Sequence, residues 1–291
     1  MPLPIAELLG DFSLEITGKD IPALQEAQPF LPAGTRVNIT FLGNEDLRMR
    51  TAAAAAVRRA GLVPVPHLSA RRLASESALT EFLQALRRDG VGDQVFVVAG
   101  DPVQPEGPYE DALALITAAP LSAHGVRAVS ISGYPEGHPE IGTGALWTAL
   151  VDKAQTLAAQ GKEGDIITQL AFDVDPVVRW IEKVRERGVD LPIRVGVPGP
   201  AGVKRLLGYA RRLGVGTSAG IAKKYGLSLT NMMSTAGPDR FITDLAARLD
   251  PAAHGTIRLH FYTFGGLRTT AQWIHEFTVR QTTASSGAIQ P

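Results

Sequence analysis

The sequence predicts one (β/α)8 barrel, an α/β TIM-barrel fold in a single domain, and three observations carry that reading. Short runs rich in Val, Ile, Phe and Thr alternate about eight times with longer stretches whose apolar residues recur every three to four positions. Such alternation calls for parallel strands joined by crossover helices. The units cover nearly the whole chain, and no Gly-x-Gly-x-x-Gly follows the first run, as an open dinucleotide-binding sheet would need.

In chain order, the strand-forming runs are FSLEIT from Phe12, RVNITF from Arg36, VPVPHLS from Val63 and QVFVVAG from Gln94. They continue with AVSISGYP from Ala128, DIITQLAFD from Asp165, PIRVGVPG from Pro192 and TIRLHFYTF from Thr256. Each is short and β-branched, and most end at Gly, Pro or a polar residue. Helical spacing covers residues 45–60, 73–88, 109–118, 145–159, 176–187 and 201–213, and 227–249 adds helix before the last strand. Asn44 and Ser75 offer N-cap chemistry. GVGTSAG, from Gly214, follows a helix rather than a strand, so it reads as a helix-ending turn more readily than as a phosphate loop. The barrel is assigned residues 1–280; residues 281–291, ending in TTASSGAIQP, read as a flexible tail.

Composition excludes several classes of function. Twenty-nine basic and 29 acidic residues cancel, which leaves no global electrostatic footprint for nucleic acid or an anionic membrane. With no cysteine, disulfides, thiolate metal sites and a cysteine nucleophile are ruled out. The N-terminus MPLPIAELLGDF lacks a basic segment followed by a long apolar stretch, and the longest apolar runs, such as 51–57 and 95–100, are too short to span a bilayer. A cytoplasmic protein, monomer or homo-oligomer, is the expectation.

A (β/α)8 barrel builds its active site at the C-terminal strand ends. There the sequence places Glu15, Thr40, His67 with Ser69, the Gly100-Asp101-Pro102 turn, the GYPEGHPE segment from Gly133, and Thr168, Gln169 and Asp173. Glu15 sits among apolar neighbours, where a carboxylate is costly unless used, and that points to function over an exposed strand position. His67 reads equally as a hydrogen-bonded core histidine, Asp101 as a turn residue, and Gln169 as a partner for a buried backbone group. GYPEGHPE, with two prolines and two glycines in eight residues, has little packing value and reads as a constrained functional loop. The histidines lack a paired helical spacing, so no metal site is assigned, and no Gly-x-Ser-x-Gly nucleophile motif occurs.

The ordered set FSLEIT, NITF, PHLS, GDP, GYPEGHPE and IITQLAFD resembles the methylenetetrahydrofolate reductases, from Glu15 to about Tyr262; GYPEGHPE followed by ITQ-x-x-FD is its most specific part. The resemblance implies an enzyme that interconverts 5,10-methylenetetrahydrofolate and 5-methyltetrahydrofolate, with FAD relaying a hydride from NADH or NADPH. By that resemblance Glu15 is the general acid that protonates N10 as the methylene bridge opens, work suited to a carboxyl whose pKa is raised. Asp101 then sits near flavin and pterin as a second catalytic residue, and Gln169 and Arg268 contact the folate. Thr40, His67, Gly100, Asp101, Ser132, Tyr134, His138 and Lys153 fall where the family holds FAD.

The chain also departs from the family pattern. Ala99 precedes Gly100-Asp101 where an arginine is common, and Asp152 precedes Lys153 where a second base is expected. Val203 stands where a nicotinamide-stacking phenylalanine is often found. Gly266 stands at a common folate-binding arginine, with Arg268 two residues on. Each lost charge-assisted hydrogen bond is worth about 1.5–3 kcal/mol. Two alternatives therefore stand beside the flavin reading: direct hydride transfer from nicotinamide to folate, and a non-catalytic folate-binding protein.

Overall fold

A computed structural model of the chain describes residues 2–212, 235–264 and 266–287. Eight parallel strands close into a barrel in the order β1-β10-β7-β6-β5-β4-β3-β2. They are β1 Ser13–Ile16, β2 Arg36–Ile39, β3 Val63–Ser69, β4 Gln94–Val98, β5 Ala128–Gly133, β6 Ile166–Leu170, β7 Ile193–Pro198 and β10 Ile257–Tyr262. Two residues each of β8 Ala201–Gly202 and β9 Thr235–Ala236 pair antiparallel outside the barrel. All eight predicted strands form where the sequence placed them, and the closed parallel sheet confirms the TIM-barrel class.

The helices are α1 Ile5–Leu9, α2 Ile21–Ala27, α3 Leu47–Arg59, α4 Glu76–Arg88, α5 Ala112–Ala118 and α6 Thr143–Ala159. They continue with α7 Val174–Glu186, α8 Val203–Arg212, α9 Asp239–Arg248, α10 Pro251–His254 and α11 Leu267–Gly287. No helix among the described residues is long and apolar enough to cross a membrane. The segment from Gly214 and the first part of the 227–249 stretch lie outside the described residues. α11 continues past residue 280 to Gly287.

Ser75 caps α4 as expected, accepting from the Ala78 backbone N–H at 3.1 Å. At α3 the cap is Asp46, not Asn44; its carboxylate accepts from the Met49 N–H at 2.8 Å. The helix starts late because Glu45 turns inward, where its carboxylate accepts from the N–H groups of Gly18 (2.7 Å) and Leu42 (3.2 Å). The alanine-rich face of α3 packs on its own barrel, with Ala53, Ala54 and Val57 fully buried against β3. Arg50 joins that face. Its guanidinium lies 3.7 Å from the Phe41 ring centroid and 4.0 Å from that of Phe82, and it donates to the His67 carbonyl.

Parallel register puts paired residues on one face, so a single inward position orients a whole strand. Val65, Phe96 and Ile167 form a small apolar cluster separate from the helix-facing core, which marks the inner face. Register then turns Ser13, Glu15, Asn38, His67, Ser130, Ser132, Arg194, Gly196 and His260 inward. The opposite faces of the same strands carry Leu14, Ile16, Val37, Val95, Val129 and Leu259, all buried under the helices.

The N-terminal end of the barrel is closed by charge. Arg194, with 3% of its side chain exposed, donates through Nε to Asp165 at 2.5 Å and through Nη2 to Asp11 at 2.8 Å. Arg36 approaches both carboxylates at 3.5 Å, and Ser130 donates to Asp165. From α1, Glu7 reaches Arg258 at 3.5 Å. Removing one member of a buried network strands its partners and costs about 3–5 kcal/mol. Arg194→Met is therefore expected to lower unfolding stability by at least about 3 kcal/mol in urea titration. A loss under about 0.5 kcal/mol, the usual range for a surface change, would remove the floor network as a determinant of stability.

Candidate active site

Glu15 reaches the opposite, C-terminal end of the barrel with 22% of its side chain exposed. Its Oε2 lies 3.9 Å from Nε2 of His260, within ion-pair range and beyond a hydrogen bond. His260 is fully buried, and its Nδ1 meets the Ser13 hydroxyl at 2.9 Å. If Nδ1 accepts that hydroxyl proton, Nε2 carries the ring proton on the side of Glu15, and Nε2 has no hydrogen-bond partner among the described residues. Ser13 and His260 are register partners across β1 and β10, so backbone pairing sets this alignment. Thr263 donates to the Glu15 carbonyl at 2.7 Å and anchors the end of β1.

Tyr262 lies two residues beyond His260 on the same face, its ring edge-on to the imidazole at 4.9 Å. Its hydroxyl donates to the Thr168 carbonyl at 3.1 Å. Burial, then the neighbouring charges of Glu15 and Tyr134, push the phenol well above its ordinary pKa, so it stays a neutral donor. A Cβ on Gly196 would stand 2.8 Å from the Tyr262 ring and 2.5 Å from the Thr168 carbonyl; only glycine leaves room for that ring. Asn38, the register partner of Glu15, has a buried side-chain oxygen with no hydrogen-bond partner among the described residues.

Register shifts between β6 and β7 at Ile167 to Leu170, which places Gln169 at a bulge. Its Oε1 accepts from the Leu170 N–H at 2.9 Å, and its amide nitrogen has no hydrogen-bond partner among the described residues. Thr168 secures the bulge by accepting from the Gly196 N–H at 2.8 Å. Ser132 and Tyr134 bring β5 to the same mouth. Burial raises the Tyr134 phenol, the hydrogen bond with Ser132 acts against it, and His138 packs edge-on at 5.5 Å. His138 Nδ1 accepts from the Glu140 N–H at 3.1 Å, which folds the GYPEGHPE loop back on itself.

Other predicted positions fall at or away from this rim. Thr40 is half-buried at the end of β2, its hydroxyl donating to the Ile16 carbonyl at 3.0 Å. Gly100 has φ +93, the left-handed region that glycine tolerates. Asp101 follows it at the outer rim, 85% exposed, and pairs with Arg72 at 3.1 Å. His67 lies lower in the barrel, 6% exposed and edge-on to Phe96 at 4.7 Å. Lys153 is buried on α6, which packs against α5; burial brings its pKa down to about 8, while Asp111, the cap of α5, acts in the opposite direction. Arg268 lies in the first turn of α11, largely exposed, its guanidinium 3.7 Å from Glu26 of α2 in the outer layer.

The structure thus brings Glu15, Thr40, Ser132, Tyr134, His138 and Gln169 to one mouth, with Gly100 and Asp101 on its rim. It does not bring Lys153 or Arg268 there. It adds Ser13, His260, Tyr262 and Arg72, which residue-by-residue reading passed over. The period-two spacing of His260 and Tyr262 in IRLHFY was the available signal for two of them. Nothing local marked Arg72, which comes from the short 3-10 turn after β3.

A family profile described as Methylenetetrahydrofolate reductase matches residues 23–276. Methylenetetrahydrofolate reductase (NADH) 1 of Arabidopsis thaliana is 27% identical over 220 residues, which cover 68% of this chain and 35% of that protein. A 5,10-methylenetetrahydrofolate reductase of Pectobacterium carotovorum subsp. carotovorum is 28% identical over 176 residues, covering 60% and 57%. The chain spans about a third of the length of the plant relative and just over half of the bacterial one. Among solved structures, an uncharacterized protein from Clostridium thermocellum that binds two copies of 5-methyl-5,6,7,8-tetrahydrofolic acid matches with TM-score 0.55. At 10% identity over 94% of this chain and 96% of that one, it shares the fold.

The buried imidazole of His67 makes a measurable prediction. Burial, then the nearby His260 and Arg50, bring its pKa from 6.5 down to about 3, so the folded protein keeps it neutral. Between those values the unfolded chain binds the extra proton. The stability this represents is complete above 6.5 and is lost as pH falls, by about 1.4 kcal/mol per pH unit. From about pH 7 to about pH 5, wild type should lose about 2 kcal/mol more in urea titration than His67→Gln does. Equal losses in the two proteins would mean that His67 is not held neutral.

Proposed function

The chain belongs to the methylenetetrahydrofolate reductase family, and we propose that it reduces 5,10-methylenetetrahydrofolate to 5-methyltetrahydrofolate with a hydride from NADH or NADPH. The observation that carries this reading is the line Ser13–His260–Glu15 at the mouth, an acid held beside a buried imidazole. Binding alone needs no such acid. Ring opening does: as the methylene bridge leaves N10, that nitrogen takes a proton and N5 is left as an iminium. Glu15 supplies the proton. The hydride then adds to the methylene carbon, forming the C–H bond that completes the 5-methyl group.

The remaining mouth residues bind and orient. The amide nitrogen of Gln169 and the exposed Asp101 carboxylate supply a donor and an acceptor for the pterin. Tyr262, kept neutral by burial, fixes the wall beside Glu15 without adding charge. The rim is narrow in function: orienting groups surround one proton donor.

A family flavin fits this set poorly. Ser132, Tyr134, His138 and Gly100 line a rim that a planar ring system could meet. His67, however, is sealed beneath the mouth, and the Thr40 hydroxyl is engaged by Ile16. Lys153, the cation among the positions where the family holds FAD, is buried beside Asp111, and Arg72 at the rim is paired with Asp101. No step is therefore routed through FAD, and direct transfer from the nicotinamide is the reading these placements favour.

Glu15→Gln keeps the shape and removes the acid. It is expected to lower turnover by about 10²–10⁴-fold while the folate Kd, measured by calorimetry, changes little. Turnover within about threefold of wild type, far below the range for a lost general acid, would remove Glu15 from the chemistry. Purified protein should show no flavin absorbance band and should reduce methylenetetrahydrofolate with NADH or NADPH without added FAD. Activity that appears only when FAD is restored would return the flavin to the mechanism.

A further inference from the structure

Two adjacent arginines in the 3-10 turn after β3, Ala70–Arg72, hold the loop that carries Asp101, and the chemistry described above uses neither. Arg71 holds the loop backbone. Its N–H donates to the Ala99 carbonyl at 2.9 Å, and its carbonyl accepts from the Glu106 N–H at 2.8 Å. Its guanidinium donates through Nε to the Glu110 carbonyl at 2.7 Å and through Nη1 to the Pro102 carbonyl at 3.4 Å. Gly107 completes the seam, since a Cβ there would stand 2.2 Å from the Leu73 carbonyl. The chain on both sides of Asp101 is thereby laid against the turn that follows β3.

Arg72 holds the carboxylate. Its Nη2 donates to Asp101 Oδ2 at 3.1 Å, and among the described residues no other cation lies within 4 Å of that carboxylate. The pair is unequal, with 17% of the Arg72 side chain exposed against 85% for Asp101. Arg72 is the fixed partner because it has a niche. A Cβ on Gly43 would stand 2.4 Å from its Nη1, so any side chain at 43 would push the guanidinium out of place. Phe41, whose ring Arg50 covers at 3.7 Å, lies 6.0 Å from the Arg72 guanidinium carbon. An ion pair between two mobile surface side chains contributes little. One whose cation is seated sets the direction of its partner. A carboxylate offers about four acceptor positions on two oxygens. With Arg72 donating to Oδ2, Oδ1 is left for the side-by-side N–H groups of a pterin's aminopyrimidine edge.

We propose that Arg72 is a positioning residue: seated beside Gly43 and Phe41, it presets the Asp101 carboxylate for the pterin and touches no substrate itself. The proposal deepens the reductase reading and rests on its assignment of Asp101 to the pterin.

The test is a double-mutant cycle on folate binding, with 5-methyltetrahydrofolate titrated calorimetrically into the full-length protein. Asp101→Asn should weaken binding at least about tenfold, as loss of a charge-assisted contact does. Arg72→Met should weaken it about three- to tenfold, the worth of ordering one side chain before the ligand arrives. The KM for methylenetetrahydrofolate should rise by the same factor, with kcat and the KM for NADH or NADPH within about twofold. In the Asp101→Asn background, Arg72→Met should change binding by less than about twofold, because Arg72 acts only through that carboxylate. Gly43→Ala keeps the charge but displaces the guanidinium; it should weaken binding as Arg72→Met does, and it stands in if that variant fails to fold. Normal binding by both, with Asp101→Asn weakened, would overturn the proposal alone. A loss from Arg72→Met that persists beside Asp101→Asn would also overturn it, by placing Arg72 on the ligand or in the scaffold. Unchanged binding by Asp101→Asn would remove the Asp101 assignment and the proposal with it. Failure of the reductase reading is separable: wild type would turn over neither donor, and the binding cycle would still decide on Arg72.

Discussion

Closure of eight parallel strands is the constraint on which the rest depends. A closed parallel sheet has no edge, and its register puts alternate residues inside. In this chain the inward set carries polar groups at both ends, with an apolar cluster of Val65, Phe96 and Ile167 joined by Val98. The floor is an arginine–aspartate network, and the mouth holds a carboxylate, an imidazole and two phenols. The helix-facing surfaces of the same strands carry the conventional core, which supplies the burial that the polar interior does not.

That division explains why the mouth can hold groups that would be costly elsewhere. A buried polar group is tolerable when its partners are preset. Ser13 and His260 meet because backbone pairing makes them neighbours, and Gly196 opens the space that Tyr262 fills. Of the buried side-chain atoms without a hydrogen-bond partner among the described residues, Asn38 Oδ1, His67 Nε2 and His260 Nε2 belong to inward residues, and the others lie on Arg50, Arg72, Arg185 and His254 outside the barrel interior.

Much of the fold was legible because strand and helix periods are local. VPVPHLS matches β3 from end to end, and the other seven barrel strands start within one residue of their runs. Helix starts were less legible. Asn44 reads as the cap from the sequence, but Glu45 turns inward onto Gly18, a contact across 27 residues, and the cap is Asp46. Glu15, Tyr134 and Gln169 were readable as mouth residues because strand-end position follows from the strand runs. Lys153 and Arg268 were not, since the direction of a helix side chain depends on which neighbour the helix packs against. Lys153 lies toward Asp111 of α5, and Arg268 toward Glu26 of α2.

The sequence by itself determined the barrel, its strand order along the chain, the family, and the carboxylate at the end of the first strand. Those follow from periodicity and from short motifs, which are properties of neighbouring residues. Tertiary structure alone decided which distant groups meet. His260 comes to Glu15 from the far end of the chain, Arg72 comes to Asp101 from the turn after β3, and two tryptophans from successive helices stack on each other. The physical reason is closure: joining β10 to β1 converts a separation of more than 240 residues into one strand spacing, and no local pattern records that distance.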